Sequence, residues 1–167
     1  LVLGDSFWCF DPRQKPEILP EPPVCRNGYV TFACAGNIAK INAPMLHCWA
    51  KILNRVPDSK LLIRSISFYD DKAVQFVSNN MKQAGIDLGR VSFLWPAGGD
   101  DFFNSYNEVD IVLDTFPFNG GTTTCFATYM GVPVLSMEGR SLSSRMGKSI
   151  LCHLGLNEWV VSSYEEY

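Results

Sequence analysis

Val109-Asp110-Ile111-Val112-Leu113-Asp114-Thr115-Phe116-Pro117-Phe118-Asn119-Gly120-Gly121-Thr122-Thr123-Thr124-Cys125 is the stretch on which the fold turns. Asp110 to Leu113 is a short apolar run that reads as a buried strand, and Asp114 to Gly121 is a loop. A helix opens at about Thr122 and runs to Met130, where Gly131 stops it. The next run, Val132-Pro133-Val134-Leu135-Ser136, reads as a second strand, so the stretch is one complete βαβ crossover.

The same alternation continues in both directions. Upstream, Tyr29-Val30-Thr31-Phe32-Ala33-Cys34 is rich in β-formers and enters the turn Ala35-Gly36-Asn37. Asn42 then caps a helix with Pro44 in its first turn and Leu46, Trp49, Ile52, Leu53 and Val56 at helical spacing, ended by Pro57. Lys60 to Ile66 predicts a strand, and Val74, Val77, Met81 and Ala84 predict a helix ended by Gly85. Arg90 to Trp95 reads as strand and Asp100 to Asn107 as a short helix. Downstream, Ser143 caps a last full helix with Ile150, Leu151 and Leu154 inward and Gly155 at its end. Strands apolar on both faces, separated by helices, predict an α/β domain: a Rossmann-like parallel sheet with helices on both faces. In such sheets ligands sit beyond the carboxyl ends of the strands, where the strand order reverses. The loops after Cys34, Trp95 and Leu113 are therefore the expected places for chemistry.

Composition agrees and excludes several classes. A chain of 167 residues, 47% hydrophobic and 19% charged, suffices for one globular domain. With a net charge of −3 and a pI near 5.3 it has no broad basic surface, so no nucleic acid is expected as partner. No apolar run approaches the roughly 20 residues of a membrane span, and no secretory leader is visible, so a soluble, cytoplasmic chain with no membrane partner is expected. Five of the ten prolines fall between Pro12 and Pro23. Residues 1–27 therefore read as a proline-rich linker or strap, whose apolar start from Leu1 to Trp8 docks on something, an upstream lobe being expected. Residues 28–167 form the Rossmann-like domain, and the absence of an initiator methionine reads as a chain cut from a longer protein.

Six cysteines without paired CxxC spacing, and only two histidines, make structural zinc an unexpected feature. Cys34, Cys48, Cys125 and Cys152 read as small buried hydrophobes. His47 and His153 fall in helices away from the loops, and neither is expected as a general base. The acid pairs Asp70-Asp71, Asp100-Asp101 and Glu165-Glu166 most simply cap or precede helices.

The loop Asn119-Gly120-Gly121-Thr122-Thr123 carries the strongest chemical signal. Paired glycines let the backbone approach a ligand, and threonines at a helix start offer N–H groups and hydroxyls aimed one way. The same residues also make an ordinary turn and helix cap. The loop Ala35-Gly36-Asn37-Ile38-Ala39-Lys40 faces the same crevice in a doubly wound sheet, which lets Lys40 supply a positive charge; alone it would read as a surface lysine. Neither loop has the Walker spacing and no GxGxxG occurs, which disfavours kinases and nicotinamide enzymes.

From Val109 to Cys125, with Met130-Gly131-Val132-Pro133-Val134, the chain closely resembles the C-terminal catalytic lobe of the O-linked N-acetylglucosamine transferase and SPINDLY-like glycosyltransferases. Gly28-Tyr29-Val30-Thr31-Phe32, Asn37-Ile38-Ala39-Lys40-Ile41, Trp49-Ala50-Lys51-Ile52-Leu53 and the stretch from Gly139-Arg140 to Ser144-Arg145 match in the same order, so the resemblance covers nearly the whole chain. It implies the nucleotide-sugar-binding C-terminal lobe of a GT-B glycosyltransferase, here stopping short at its C-terminus. It further implies inverting, metal-independent transfer of a sugar, N-acetylglucosamine before others, from a UDP-sugar to Ser/Thr hydroxyls of an acceptor protein, without cofactor. By motif matching, Lys40 is the catalytic lysine that neutralises the departing diphosphate and Asn37 lies beside it. Asn119, Gly120, Gly121, Thr122 and Thr123 match the diphosphate-binding helix start.

The resemblance also implies partners outside the chain: an upstream N-terminal catalytic lobe and a tetratricopeptide array. Without that lobe the isolated chain is expected to bind nucleotide weakly and not to turn over. Two positions depart from the family. Phe102 stands where a histidine is common and Phe126 where an acidic residue is common, both of which help hold the nucleoside. Phe102 retains a ring for stacking on a base, whereas Phe126 cannot accept hydrogen bonds from a ribose. Ala97, Gly98 and Gly99 are placed by loop position to contact the base through main-chain groups. These departures keep two alternatives in view: a degenerate, non-catalytic nucleotide-binding or scaffold module, and an enzyme using another donor such as a GDP-sugar or UDP-glucose.

Overall fold

Among the described residues, six short segments become strands: β1 (Thr31–Ala35), β2 (Lys60–Arg64), β3 (Val91–Leu94), β4 (Ile111–Leu113), β5 (Val134–Met137) and β6 (Val160–Val161). The computed structural model describes residue 6 and residues 8–13, 16–95 and 100–167; the expected main-chain contacts at Ala97, Gly98 and Gly99 lie outside them. All pairings are parallel, in the order β3-β2-β1-β4-β5-β6. The chain moves outward from β1 to β3, then returns to β4 and moves outward the other way. The reversal between β1 and β4, where Phe32 pairs with Ile111 and Ala33 with Val112, is the switch point at which such sheets bind ligands.

Helices cover both faces: α1 (Pro23–Asn27), α2 (Ala43–Arg55), α3 (Asp71–Gln83), α4 (Asp100–Asn104), α5 (Thr122–Tyr129) and α6 (Met146–His153). Strand periodicity divides the core between them. Phe32 and Cys34 join Leu61, Ile63 and Leu113 on the side packed by Leu46, Trp49 and Leu53 of α2 and by Val77 and Met81 of α3. Ala33, Val112 and Val134 face the other way, onto Phe103, Tyr106, Ala127, Met130 and Leu151. Trp49, Met45, Met81 and Leu151 are fully buried, each worth roughly 1.5–3 kcal/mol of apolar transfer. The α2 cap forms as expected, the Asn42 side chain accepting the Met45 N–H at 3.1 Å. Its amide also donates to the Phe116 carbonyl at 2.6 Å, tying the start of α2 to the loop after β4.

Four local expectations differ. Ser143 does not cap α6: the serines at 141, 143 and 144 bond one another, and Gly139 donates to the Ser144 carbonyl, so they are used up in a turn of their own before the helix. Leu154 is 52% exposed because α6 ends at His153, one residue before it could stay on the inward stripe. The proline-rich segment contains the single turn α1, with Pro23 at the first helical position, where a missing N–H costs nothing, and Gly28 closing it at φ +74°. That segment also lies along its own domain. The Val24 N–H donates to Asp110 Oδ1 at 2.9 Å, Arg26 pairs with Glu108 at 3.3 Å, and the Phe10 ring meets Phe126 edge-on at 5.0 Å. Finally β6, only two residues long, offers no periodicity to read and was not expected. Among the described residues, no helix is long and apolar enough to cross a membrane.

Candidate functional site

The loop that follows β4 is held from below by one carboxylate. Asp114 is 5% exposed, and its Oδ1 accepts the N–H groups of Gly120 at 2.6 Å and Thr115 at 2.8 Å while Oδ2 accepts the Ser136 hydroxyl at 2.7 Å. The beginning and end of the loop are thereby pinned to one point and to β5. Burial pushes the Asp114 carboxyl up to about 6; the bonds from Ser136, Gly120 and Thr115 and the nearby Lys40 charge oppose it and are outweighed.

Asn119 is the second strut. Its side chain is fully buried, and the amide donates to the carbonyls of Thr115 at 2.9 Å and Met137 at 3.2 Å. It therefore shapes the loop from beneath and presents its backbone, not its amide, to the crevice. Gly120 has no room for a side chain: a Cβ there would sit 2.5 Å from Thr124 Oγ1, 2.8 Å from Thr123 Oγ1 and 3.2 Å from Asp114 Oδ1. At Gly121 a Cβ would collide with the Trp8 ring of the strap. Beyond it α5 starts with no side-chain cap, leaving the first-turn amides free to face an anion, with Thr122 exposed and Thr123 half-buried beside them.

The loop after β1 meets this one. Gly36 takes φ +142°, and Asn37 caps a short turn over Ile38–Lys40 by accepting the Ala39 N–H at 2.9 Å. The turn delivers Lys40 so that Nζ donates to the Asn119 carbonyl at 3.0 Å and lies 4.1 Å from the Phe118 ring centre. Asn37 stays exposed at the rim. Burial lowers the Lys40 pKa from its ordinary value, against the pull of Asp114 and Cys34. Two loops separated by about eighty residues of sequence thus build one crevice: a fixed cation on one wall and an uncapped helix start on the other.

Phe102 and Phe126 lie together on the next side of the switch point. Their rings meet edge to face at 4.9 Å, Phe102 also touches Phe103 and Tyr106, and the Arg64 guanidinium lies 4.2 Å from the Phe102 ring centre. Phe102 borders a pocket of about 240 Å³ that also touches Gly36, Asn37, Arg64 and Thr123. Asp114, Ser136 and Arg64 are the site residues to which the sequence reading gave no role. The signal for Arg64 was available, since it is the one charge that follows the apolar run Leu61-Leu62-Ile63 at the carboxyl end of a strand. Nothing local distinguishes Asp114 as a strut, because its partners come from β5 and from six residues ahead.

Among the described residues, no three of His, Cys, Asp and Glu gather where a metal ion would be held. All six cysteines are free; Cys34, Cys48 and Cys125 are buried and Cys152 half-buried, and burial pushes the Cys34 thiol up to about 12, far from a reactive thiolate. His47 and His153 are exposed on α2 and α6.

Residues 25–167 match the family model for glycosyl transferase family 41. The chain is 37% identical over 166 residues to the probable UDP-N-acetylglucosamine--peptide N-acetylglucosaminyltransferase SPINDLY of Arabidopsis thaliana, covering 99% of this chain and 18% of that protein. It is 29% identical over 138 residues to the UDP-N-acetylglucosamine--peptide N-acetylglucosaminyltransferase of Caenorhabditis elegans, covering 83% of this chain and 12% of that protein. Among solved structures, a mutant of the Thermobaculum terrenum O-GlcNAc transferase superposes with a TM-score of 0.86 at 31% identity, over 94% of this chain and 29% of that one. The chain thus spans under a fifth of the curated relatives' length, and its fold is the Rossmann-like C-terminal lobe of the GT-B architecture. Family match, sequence identity and superposition converge: the chain belongs to glycosyl transferase family 41.

Proposed function

We propose that this chain is the donor-binding lobe of a protein O-glycosyltransferase that moves a sugar, N-acetylglucosamine before others, from a UDP-sugar to serine or threonine hydroxyls, inverting at the anomeric carbon and without a metal. The observation that carries the reading is the bond from Lys40 Nζ to the Asn119 carbonyl, which fixes a cation at the mouth of the uncapped helix α5. As the acceptor oxygen forms its bond to the anomeric carbon, the bond from that carbon to the diphosphate breaks and the electron pair leaves on phosphate oxygen. The growing charge is met by Lys40, by the amides of Thr122 and Thr123 and by their hydroxyls, already oriented before the reaction begins. Asn37 takes a place at the rim beside Lys40. Asn119 and Gly120 serve through the backbone, and Gly121 lets the chain approach closely. The residues that hold the acceptor protein belong to an upstream lobe, and the protein works in the cytoplasm, where its free cysteines stay reduced.

Transfer of labelled N-acetylglucosamine from its UDP-sugar to a serine-containing protein acceptor by the full-length protein tests the reading. Lys40→Ala is expected to slow transfer about 10²–10³-fold, the cost of one preorganised donor. A second reading, a non-catalytic nucleotide-binding or scaffold module, draws on the Phe102–Phe126 contact, which places apolar rings where polar groups would hold a nucleoside. It predicts a wild-type protein that binds a protein partner and transfers nothing from UDP-N-acetylglucosamine, UDP-glucose or a GDP-sugar.

A further inference from the structure

Arg64 is a buried cation whose Nη2 makes no hydrogen bond. It is 5% exposed at the carboxyl end of β2, its guanidinium packed against the rings of Phe102 and Tyr106, each centre 4.2 Å away. Nη1 donates to the Phe102 carbonyl at 2.7 Å and to the Ser105 hydroxyl. Nη2 is buried and has no hydrogen-bond partner, and among the described residues no carboxylate pairs with this side chain. A buried guanidinium left without an anion and with an unused N–H is costly unless a ligand completes it.

The pocket of about 240 Å³ beside Arg64 supplies the place. One wall is Gly36, Asn37 and Thr123, which belong to the two loops of the phosphate crevice; the other is Arg64, Ser65 and Phe102. A nucleoside whose diphosphate rests against Lys40 and α5 would extend into it across the ends of β1 and β2. Since Lys40 already serves the phosphates, the unused donor falls to the base. We propose that Arg64 selects the base of the nucleotide sugar, its Nη2 donating to the exocyclic oxygen at C4 of uracil or C6 of guanine. The inference rests on the donor-lobe reading above. A keto base, uracil or guanine, presents an acceptor at that edge; an amino base, cytosine or adenine, presents an N–H₂ donor that would oppose the guanidinium. The two aromatic rings pack against the guanidinium and limit its freedom, so less order has to be imposed on the donor when a ligand arrives. Arg64 thereby supplies polar recognition on the side where Phe102 and Phe126 supply none.

The test is calorimetric titration of the full-length protein with UDP, GDP, CDP, ADP and inorganic pyrophosphate, comparing wild type, Arg64→Met and Arg64→Lys. Wild type is expected to bind UDP or GDP at least tenfold more tightly than its amino-base counterpart. Arg64→Met brings that ratio to within about twofold while pyrophosphate affinity stays within twofold of wild type, and Arg64→Lys retains part of the ratio because it keeps a donor and the charge. A merely structural arginine would weaken all ligands together and leave the ratio standing. The proposal is overturned if wild type binds CDP or ADP as well as UDP and GDP, if Arg64→Met keeps the ratio, or if pyrophosphate affinity falls in step with nucleotide affinity. Wild type binding neither nucleotide nor pyrophosphate at millimolar concentration overturns the donor-lobe reading itself, an outcome separable from the other three.

Discussion

The crevice at the switch point has two halves built on different principles. On the phosphate side, from Asp114 to Thr123, the ligand-facing groups are main chain, and the side chains of Asp114, Asn119 and Ser136 are spent beneath them holding the loop in shape. On the nucleoside side, around Arg64, Phe102 and Phe126, the facing groups are side chains gathered from β2, α4 and α5 and locked by ring contacts. On the proposed function, the phosphate half would meet a charge distribution common to every nucleoside diphosphate, with backbone amides and one lysine. The nucleoside half, on the same proposal, would have to distinguish one base from another, which takes side chains rather than backbone.

The sharpest way to break this contrast is to remove the strut. Asp114→Ala leaves the N–H groups of Gly120 and Thr115 and the Ser136 hydroxyl without an acceptor, and is expected to cost about 4 kcal/mol of stability in urea unfolding of the full-length protein. A loss below about 1 kcal/mol would mean that the loop holds its shape without the carboxylate.

The same group gives the comparison a pH signature. In the folded chain Asp114 titrates at about 6, against 3.8 for the ordinary carboxyl. Between those values the unfolded chain has released a proton that the folded chain keeps, so the contribution is complete at the acid end and disappears as pH rises through about 6. It amounts to about 3 kcal/mol. The stability difference between wild type and Asp114→Asn should shift by about 2 kcal/mol, against wild type, between pH 4 and pH 7; a difference that stays constant would mean that the carboxyl is not buried as described.

Close packing above the strut predicts a smaller effect. Gly120→Ala forces a Cβ against the hydroxyls of Thr123 and Thr124, and about 2 kcal/mol of destabilisation is expected, with nucleotide and pyrophosphate affinity falling together. On the nucleoside side, Phe126→Leu keeps most of the apolar volume of a half-buried ring and is expected to cost about 1 kcal/mol and leave pyrophosphate affinity unchanged. Parallel loss of pyrophosphate binding in that variant would show that the two halves are not independent.

The two halves were also unequally legible. The paired glycines, the threonines and the position of the loop between a strand and a helix all lie within one continuous stretch, and the switch-point rule brings Lys40 to it before any coordinates are known. The alternation of elements was equally visible, because apolar runs such as Ile111-Val112-Leu113 and stripes such as Leu46, Trp49 and Leu53 carry their own period. What escaped depends on partners distant in sequence. Arg64 finds Phe102, Ser105 and Tyr106 only after β2 and α4 have packed, and Ser136 reaches Asp114 only across the β4–β5 pairing. Ser143 misled for the opposite reason: its local signal as a cap is genuine, but neighbouring serines compete for the same bonds.

On the proposed function, Lys40 and the start of α5 form one diphosphate site. Titration of UDP into the full-length wild-type protein and into Lys40→Ala tests it most directly. The account predicts at least a tenfold loss of affinity in the variant, about 1.4 kcal/mol, with stability nearly unchanged because Lys40 makes a single bond to a loop that other groups hold. Equal UDP affinity in the two proteins would contradict it, and would leave Lys40 as a half-buried lysine resting on the Asn119 carbonyl.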